Sequence, residues 1–257
     1  ILMNNIKVVA TGSYAPEKIV TNFDLEKIVD RSNEWIIQRT GIKQRHYSVG
    51  EETSDLACKA AKRAFAKVNY DTKKLDLIIV ATFTPDLQSP GVANILQAKL
   101  GLSHQDIACF DINTGCTGYV YALNIAAMFL NSGKYKSALV VGAEVITKAT
   151  DFTDRNTCVL FGDGAGCMIL ENTKEKKPAY IYVTSQGELE GALYVDKYVR
   201  MDGKKVYQFA VGALEKCIKK VLDDCDLSLE DIDTIIPHQA NIRIVQSVAK
   251  SLGIDIG

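Results

Sequence analysis

The chain has 257 residues, 47% of them hydrophobic and 24% charged, a balance that suits a soluble globular protein of one large or two modest domains. Its formal net charge of −1 gives no global field suited to nucleic acid or an acidic membrane surface. Seven cysteines (58, 109, 116, 158, 167, 217 and 225) include no CxxC pair. That argues against a disulfide framework or a zinc site and for a reducing, cytoplasmic setting. No run reaches the length of a membrane span and no signal peptide opens the chain, while Ile1 and Leu2 ahead of Met3 look like a remnant.

In chain order, residues 57 to 81 (ACKAAKRAFAKVNYDTKKLDLIIVA) predict a helix, a polar loop and an apolar strand. A loop rich in turn formers follows (Thr84 to Gly91), then a helix (Val92 to Leu100) and a β-like stretch (Ile107 to Ile112). From Tyr119 to Leu130 almost every residue is apolar, so this segment predicts a helix buried in the centre of a domain. Cys116 stands at its entrance. A thiol there is expected to feel the partial positive charge and free N–H groups of a helix N-terminus, which favour thiolate. A small core cysteine is the plainer alternative. A strand (137 to 144) and two strands around LFGDGAGCMILE (160 to 171) complete this half. GDGAG lacks the following helix that a dinucleotide site needs, and its glycines are expected in a tight β-turn.

Residues 214 to 238 (LEKCIKKVLDDCDLSLEDIDTIIPH) echo residues 57 to 81 without a gap. Ala61/Ile218, Ala64/Val221 and Phe65/Leu222 share a helical face, and each strand is entered through an aspartate (Asp76, Asp233). The alternation of strands and helices predicts an α/β layered architecture of two similar halves, residues 3–172 and 173–257. The second half begins near Ala179. Judged against the first it ends early, which predicts an incomplete C-terminal half.

Three histidines compete for a role. His46 and His104 are expected at the surface, whereas His238 follows an apolar strand just where a helix should begin. In the echo it takes the place of Ala81, so His238 and Cys116 are expected at the same end of pseudo-symmetric strands, where ligands collect in α/β sheets. Thiolate chemistry with an imidazole donor or base is the implied pairing, with a satisfied structural histidine as the alternative.

The segments VVATGSYAPEKIVTN, EWIIQRTGIKQRHY, NTGCTGYVYAL, DRNTCVLFGDGAG and PHQANIRI together resemble the β-ketoacyl-[acyl-carrier-protein] synthase III family. The likeness runs in order from Ile6 to Gly257. It implies a thiolase-like fold of two α/β halves in αβαβα layers, and the initiating condensation of fatty-acid synthesis. It further implies Cys116 as the acylated nucleophile and His238 as the catalytic histidine. Trp35 and Arg155 would sandwich the adenine of coenzyme A, with Arg39 near its phosphates. Gln239, Ala240, Asn241, Ile242 and Arg243 would dock the carrier protein, helped less by Lys250.

The expected partners are acyl-CoA, malonyl-acyl-carrier protein and a second copy of the chain, with no metal or other cofactor, nucleic acid or membrane. The family's GNT asparagine and C-terminal glycine-rich strand have no counterpart here, and about ten residues fall short between GELEGAL and YVDKYVR. Gln88 replaces a phenylalanine at the acyl-pocket gate, Lys204 an asparagine near coenzyme A, and Gln208 a lysine of the docking patch. The rival readings are another coenzyme A condensing enzyme of this fold, such as a 3-hydroxy-3-methylglutaryl-CoA synthase or a type III polyketide synthase, a non-catalytic partner subunit, and a dinucleotide-binding oxidoreductase.

Overall fold

A computed structural model describes residues 2–3, 6–175, 179–187 and 191–256. In chain order it contains β1 (Leu2–Met3), β2 (Ile6–Tyr14), β3 (Lys18–Thr21), α1 (Asn22–Glu26), α2 (Asn33–Thr40), β4 (Gln44–Tyr47), α3 (Thr53–Val68) and β5 (Leu77–Ala81). Then come α4 (Val92–Lys99), β6 (Ala108–Ile112), α5 (Gly118–Asn131), β7 (Ser137–Glu144) and β8 (Gly164–Asn172). The rest is β9 (Ala179–Tyr180), β10 (Leu193–Val195), β11 (Val199–Met201), α6 (Gly203–Cys225) and α7 (Ile242–Leu252). Two compact units share these elements. One is built of residues 1–18, 46–147 and 162–183, the other of 19–45, 148–161 and 184–257.

The first unit is a five-stranded mixed sheet in the order β2-β8-β7-β5-β6. The central strand β5 runs parallel to both neighbours, Ile79 pairing with Phe110 on one side and Val140 on the other. Its sequence LIIVA is buried throughout. Such a continuous apolar run is what a strand covered on both faces needs. Because side chains alternate, Ile78 and Val80 join a core with Leu56, Ala60, Ala64, Val92 and Leu96. Leu77, Ile79 and Ala81 join an opposite core with Ala122, Ala126 and Leu130. Helices α3 and α4 thus cover one face and α5 the other.

Helix α5 departs from expectation. Only Gly118, Ala122, Ala126, Ala127 and Leu130 are buried, whereas Val120 and Met128 stand 44% and 49% exposed. Its small residues make one contact face for the sheet and leave the opposite apolar face uncovered. The region around GDGAG also differs: one strand, β8, replaces the two expected, and Gly164 and Gly166 lie within it rather than in a turn. Asp163 explains the bend just before it. Its buried carboxylate accepts the N–H of Ser48 (2.7 Å), the N–H of Thr147 (2.9 Å) and the Thr147 hydroxyl (2.8 Å). His46, expected at the surface, is half-buried on β4 with Nδ1 2.6 Å from the Pro16 carbonyl, while His104 is exposed as expected.

In the second unit the echo persists as far as the loop. Asn69 and Asp226, aligned in the two segments, end α3 and α6 with left-handed backbone (φ 47° and 54°). Matching hydrogen bonds follow, Tyr70 N–H to Phe65 (2.9 Å) and Leu227 N–H to Leu222 (3.0 Å). Short 3-10 turns then occupy Thr72–Lys74 and Leu229–Asp231. Beyond them the halves diverge. Residues 232–238 form no strand, and of AYIYVTSQ only Ala179–Tyr180 pairs, with Leu2–Met3. The predicted second-half strands are therefore corrected. A strand is defined by its ladder, and among the described residues 232–238 join none.

Candidate functional site

Cys116 lies between β6 and α5, in a 3-10 turn (Gly115–Thr117) that leads straight into the helix. Gly118 lets this corner sit low on the sheet, since a Cβ there would come within 3.2 Å of the Ala81 Cβ at the end of β5. Thr117 braces the turn, its hydroxyl donating to the Thr114 carbonyl at 2.9 Å. Of the seven cysteines, Cys116 alone is exposed.

Two opposing influences act on its sulfur. The protein packed around the sulfur raises the thiol pKa above its ordinary value. The backbone N–H of Cys116 itself pulls the other way, and the charge of Glu144 adds to the rise. Burial around the sulfur thus opposes the pull of the helix start and favours the thiol form.

Glu144 carries no recognisable sequence motif, yet it organises this end of the sheet. From the end of β7, Oε1 accepts the Phe83 N–H (2.9 Å), and Oε2 accepts the Thr84 N–H (3.0 Å) and the Thr82 hydroxyl (3.1 Å). The Thr84 hydroxyl donates to it as well. Burial raises its pKa against the pull of these donors. The hint in the sequence is a lone acid closing the apolar strand SALVVGAE.

The loop carrying Gln88 is anchored at three points. Glu144 holds its start, and Ser54 N–H meets Asp86 Oδ1 at 2.9 Å. Asp111 on β6 accepts the N–H groups of Val92 (2.6 Å) and Ala93 (2.8 Å), a carboxylate at the N-terminus of α4. Between these anchors, residues 87–90 are exposed.

The second unit holds the other candidates. Trp35 and Arg39 lie on α2, the Arg39 Cζ 5.6 Å from the indole centroid. Arg155 pairs with Asp30, Nη1 to Oδ2 at 3.0 Å. A further arginine escaped the sequence reading: the Arg31 Cζ lies 4.3 Å from the Trp35 ring.

His238 is exposed, follows Pro237 and precedes α7, and the protein around its ring lowers its pKa below the ordinary 6.5, favouring neutral imidazole. In QANIR, Asn241 is the N-cap of α7, accepting the Ile244 N–H at 3.0 Å, and Ile242 packs against Gly41. Gln239 and Arg243 are exposed and Ala240 is half-buried. Lys204 and Gln208 sit exposed on α6. No group of His, Cys, Asp or Glu among the described residues has metal-holding geometry, and no described helix is long and apolar enough to cross a membrane.

Comparisons with known proteins place the chain in a family. Residues 110–187 match the family model for 3-oxoacyl-[acyl-carrier-protein] synthase III, and residues 222–256 match the model for its C-terminal part. The β-ketoacyl-[acyl-carrier-protein] synthase III of Acholeplasma laidlawii (strain PG-8A) is 51% identical over 252 residues, spanning 98% of this chain and 81% of that protein. The enzyme of Clostridium acetobutylicum is 47% identical, over 99% of this chain and 82% of its own. The crystal structure of 3-oxoacyl-[acyl-carrier-protein] synthase III from Aquifex aeolicus VF5 superposes with a TM-score of 0.91 at 41% identity, covering 98% of this chain and 82% of that one. With an exposed cysteine at the entrance of α5 and relatives of this closeness, the chain belongs to the β-ketoacyl-[acyl-carrier-protein] synthase III family, acyltransferases of thiolase-like fold that carry out the initiating condensation of fatty-acid synthesis.

Proposed function

We propose that Cys116 takes an acyl group from acyl-CoA and passes it to a carbanion made from malonyl-acyl-carrier protein. The sulfur attacks the thioester carbonyl, its proton leaves with the coenzyme A thiolate, and the acyl-cysteine thioester remains. Malonyl-carrier protein then loses CO2, and His238 donates a hydrogen bond to the thioester oxygen as it gains charge. The enolate carbon attacks the acyl-Cys116 carbonyl. The C–S bond breaks, regenerating the cysteine and releasing 3-oxoacyl-carrier protein.

Coenzyme A is read as binding at Trp35, Arg39 and Arg155, and the carrier protein along Gln239 to Arg243. Gln88 is read as the acyl-pocket gate. The exposed tip at 87–90, pinned on either side, supports that last role. The reaction needs no metal or prosthetic group in this reading, since the coenzyme enters as substrate.

The observation that carries the proposal is the exposure of Cys116 alone among the cysteines, at the end of a buried sheet. Incubation with radiolabelled acetyl-CoA and peptide mapping should find the label on Cys116. Label recovered as a thioester on another cysteine overturns the assignment.

A homodimer is part of the same reading. Strand β6 is an edge of the five-stranded sheet, half-buried along its length, with ladder groups open on its outer side. Sedimentation of the protein should give a dimer, and a monomer at micromolar concentration counts against it. Seven cysteines without a disulfide support a cytoplasmic setting. Two pseudo-symmetric halves meeting near residue 172 remain the proposed descent of the fold, supported by the matched turns after α3 and α6.

A further inference from the structure

Three guanidinium groups of the second unit contact residues 30–35, a stretch that holds the only tryptophan of the chain. Two lie beside the indole, Arg31 at 4.3 Å and Arg39 at 5.6 Å, and the third, Arg155, is spent on Asp30 at 3.0 Å. Arg31 is bound differently from Arg155. Its Nη1 donates to the Asp30 carbonyl (2.9 Å) and its Nη2 to the Asn156 side-chain oxygen (3.0 Å), both neutral acceptors. Its Nε is buried and donates to nothing. Among the described residues no carboxylate neutralises it.

A guanidinium so placed has two unspent capacities, a full positive charge and a fixed donor. Its resting contact is weak, because a cation over a half-exposed indole gains little stabilisation. A flat base that needs the same indole face has to displace it. An anionic oxygen nearby would in turn satisfy the charge.

We propose that Arg31 is a phosphate-reading residue of the coenzyme A subsite, resting on Trp35 in the free protein and turning to a nucleotide phosphate when adenine takes the indole face. The inference rests on the reading of Trp35 as the adenine platform. It adds a specificity device, since a base without phosphate must displace a cation and receives nothing in return. A phosphorylated base recovers that loss through a charge-assisted contact. The site therefore selects the phosphates and not the base alone.

The single tryptophan gives a direct readout. Fluorescence of Trp35 is titrated with adenosine and with adenosine 3′,5′-bisphosphate in wild type, Arg31→Ala and Arg31→Lys. Wild type should bind the bisphosphate more tightly. In Arg31→Ala, adenosine should bind about two- to fivefold more tightly, the size of the lost cation–π competitor. The bisphosphate should bind about five- to tenfold more weakly, as expected for one partly exposed charged contact. Arg31→Lys should keep part of the phosphate preference. Affinities that shift together by one factor, or do not shift, overturn the role of Arg31 while leaving the platform intact. A wild-type protein quenched by neither ligand overturns the platform reading and this inference with it.

Discussion

Glu144 accepts the backbone N–H of Thr84 at 3.0 Å, so a half-buried carboxylate at the end of β7 fixes the first residues beyond β5. The same charge raises the pKa of Cys116. Replacing it by the isosteric amide in Glu144→Gln removes the charge and keeps most of the shape. Cys116 should then be alkylated by iodoacetamide about twofold faster at neutral pH, the scale of a screened charge acting on a partly exposed sulfur. The pH dependence of stability gives a second check. The folded protein holds the Glu144 proton more tightly than the unfolded chain, because burial raises its pKa from the ordinary 4.5. Wild type should therefore lose stability relative to Glu144→Gln as pH rises above 4.5 and through the raised value, with no further change beyond it. Urea midpoints measured across that window should show the gap moving in favour of Gln; a constant gap denies the buried charge.

Asp163 governs a different corner. Three donors converge on its carboxylate, two of them backbone N–H groups. Asp163→Ala strands these donors beneath the start of β8, and each buried unsatisfied donor costs about 1–3 kcal/mol. A loss of roughly 2–5 kcal/mol in unfolding free energy is expected, with Asp163→Asn intermediate because its amide oxygen still accepts. A loss below about 1 kcal/mol would show that water replaces the carboxylate.

Local pattern made much of this legible. The limits of β7 match the apolar run from Ser137 to Glu144, and the echo between residues 57–81 and 214–238 reappears as paired left-handed caps at Asn69 and Asp226. These features depend on residues within a few positions of one another. Where the sequence reading failed, the deciding partner is distant or outside the described residues. The second-half strand at 232–238 has apolar content but no neighbour to complete its ladder. Glu144 meets residues 82–84 across a parallel pair of strands, and Arg31 reaches Asn156 across 125 positions. The rise in the Cys116 pKa has the same origin, since the helix start is local and the crowding around the sulfur is tertiary.

Packing between β2 and α3 gives a paired test. A Cβ on Gly12 would collide with the Ala60 carbonyl oxygen and lie 2.8 Å from the Ala64 nitrogen, both backbone atoms of α3. Neither can swing aside, so Gly12→Ala should destabilise by about 3 kcal/mol or more. Gly212, inside α6, has open space where its Cβ would go. There the same change removes a helix-weakening glycine and should stabilise by roughly 0.5–1 kcal/mol. Thermal unfolding of both variants reads the contrast, and equal effects would deny the tight β2–α3 approach.

The roles of Cys116 and His238 separate by step and by pH. A thiol whose pKa lies above the ordinary 9.0 is mostly protonated at neutral pH, so acylation by acyl-CoA should accelerate steadily as pH rises through 7 to 9. His238 has the opposite displacement, below 6.5, and stays neutral through the whole of that range. Decarboxylation of malonyl-carrier protein by the acylated enzyme should accordingly fall off only on the acid side, with a midpoint below 6.5, if neutral His238 is the hydrogen-bond donor. His238→Ala should still become acylated while losing decarboxylation by about 100- to 1,000-fold, the effect of removing one preorganised donor. The raised thiol pKa makes this test sharper, because a thiol short of thiolate gains most from a nearby base. If His238 serves instead as that base, pre-steady-state acylation of His238→Ala falls by a factor comparable to condensation. That result would transfer His238 from the enolate step to the first one.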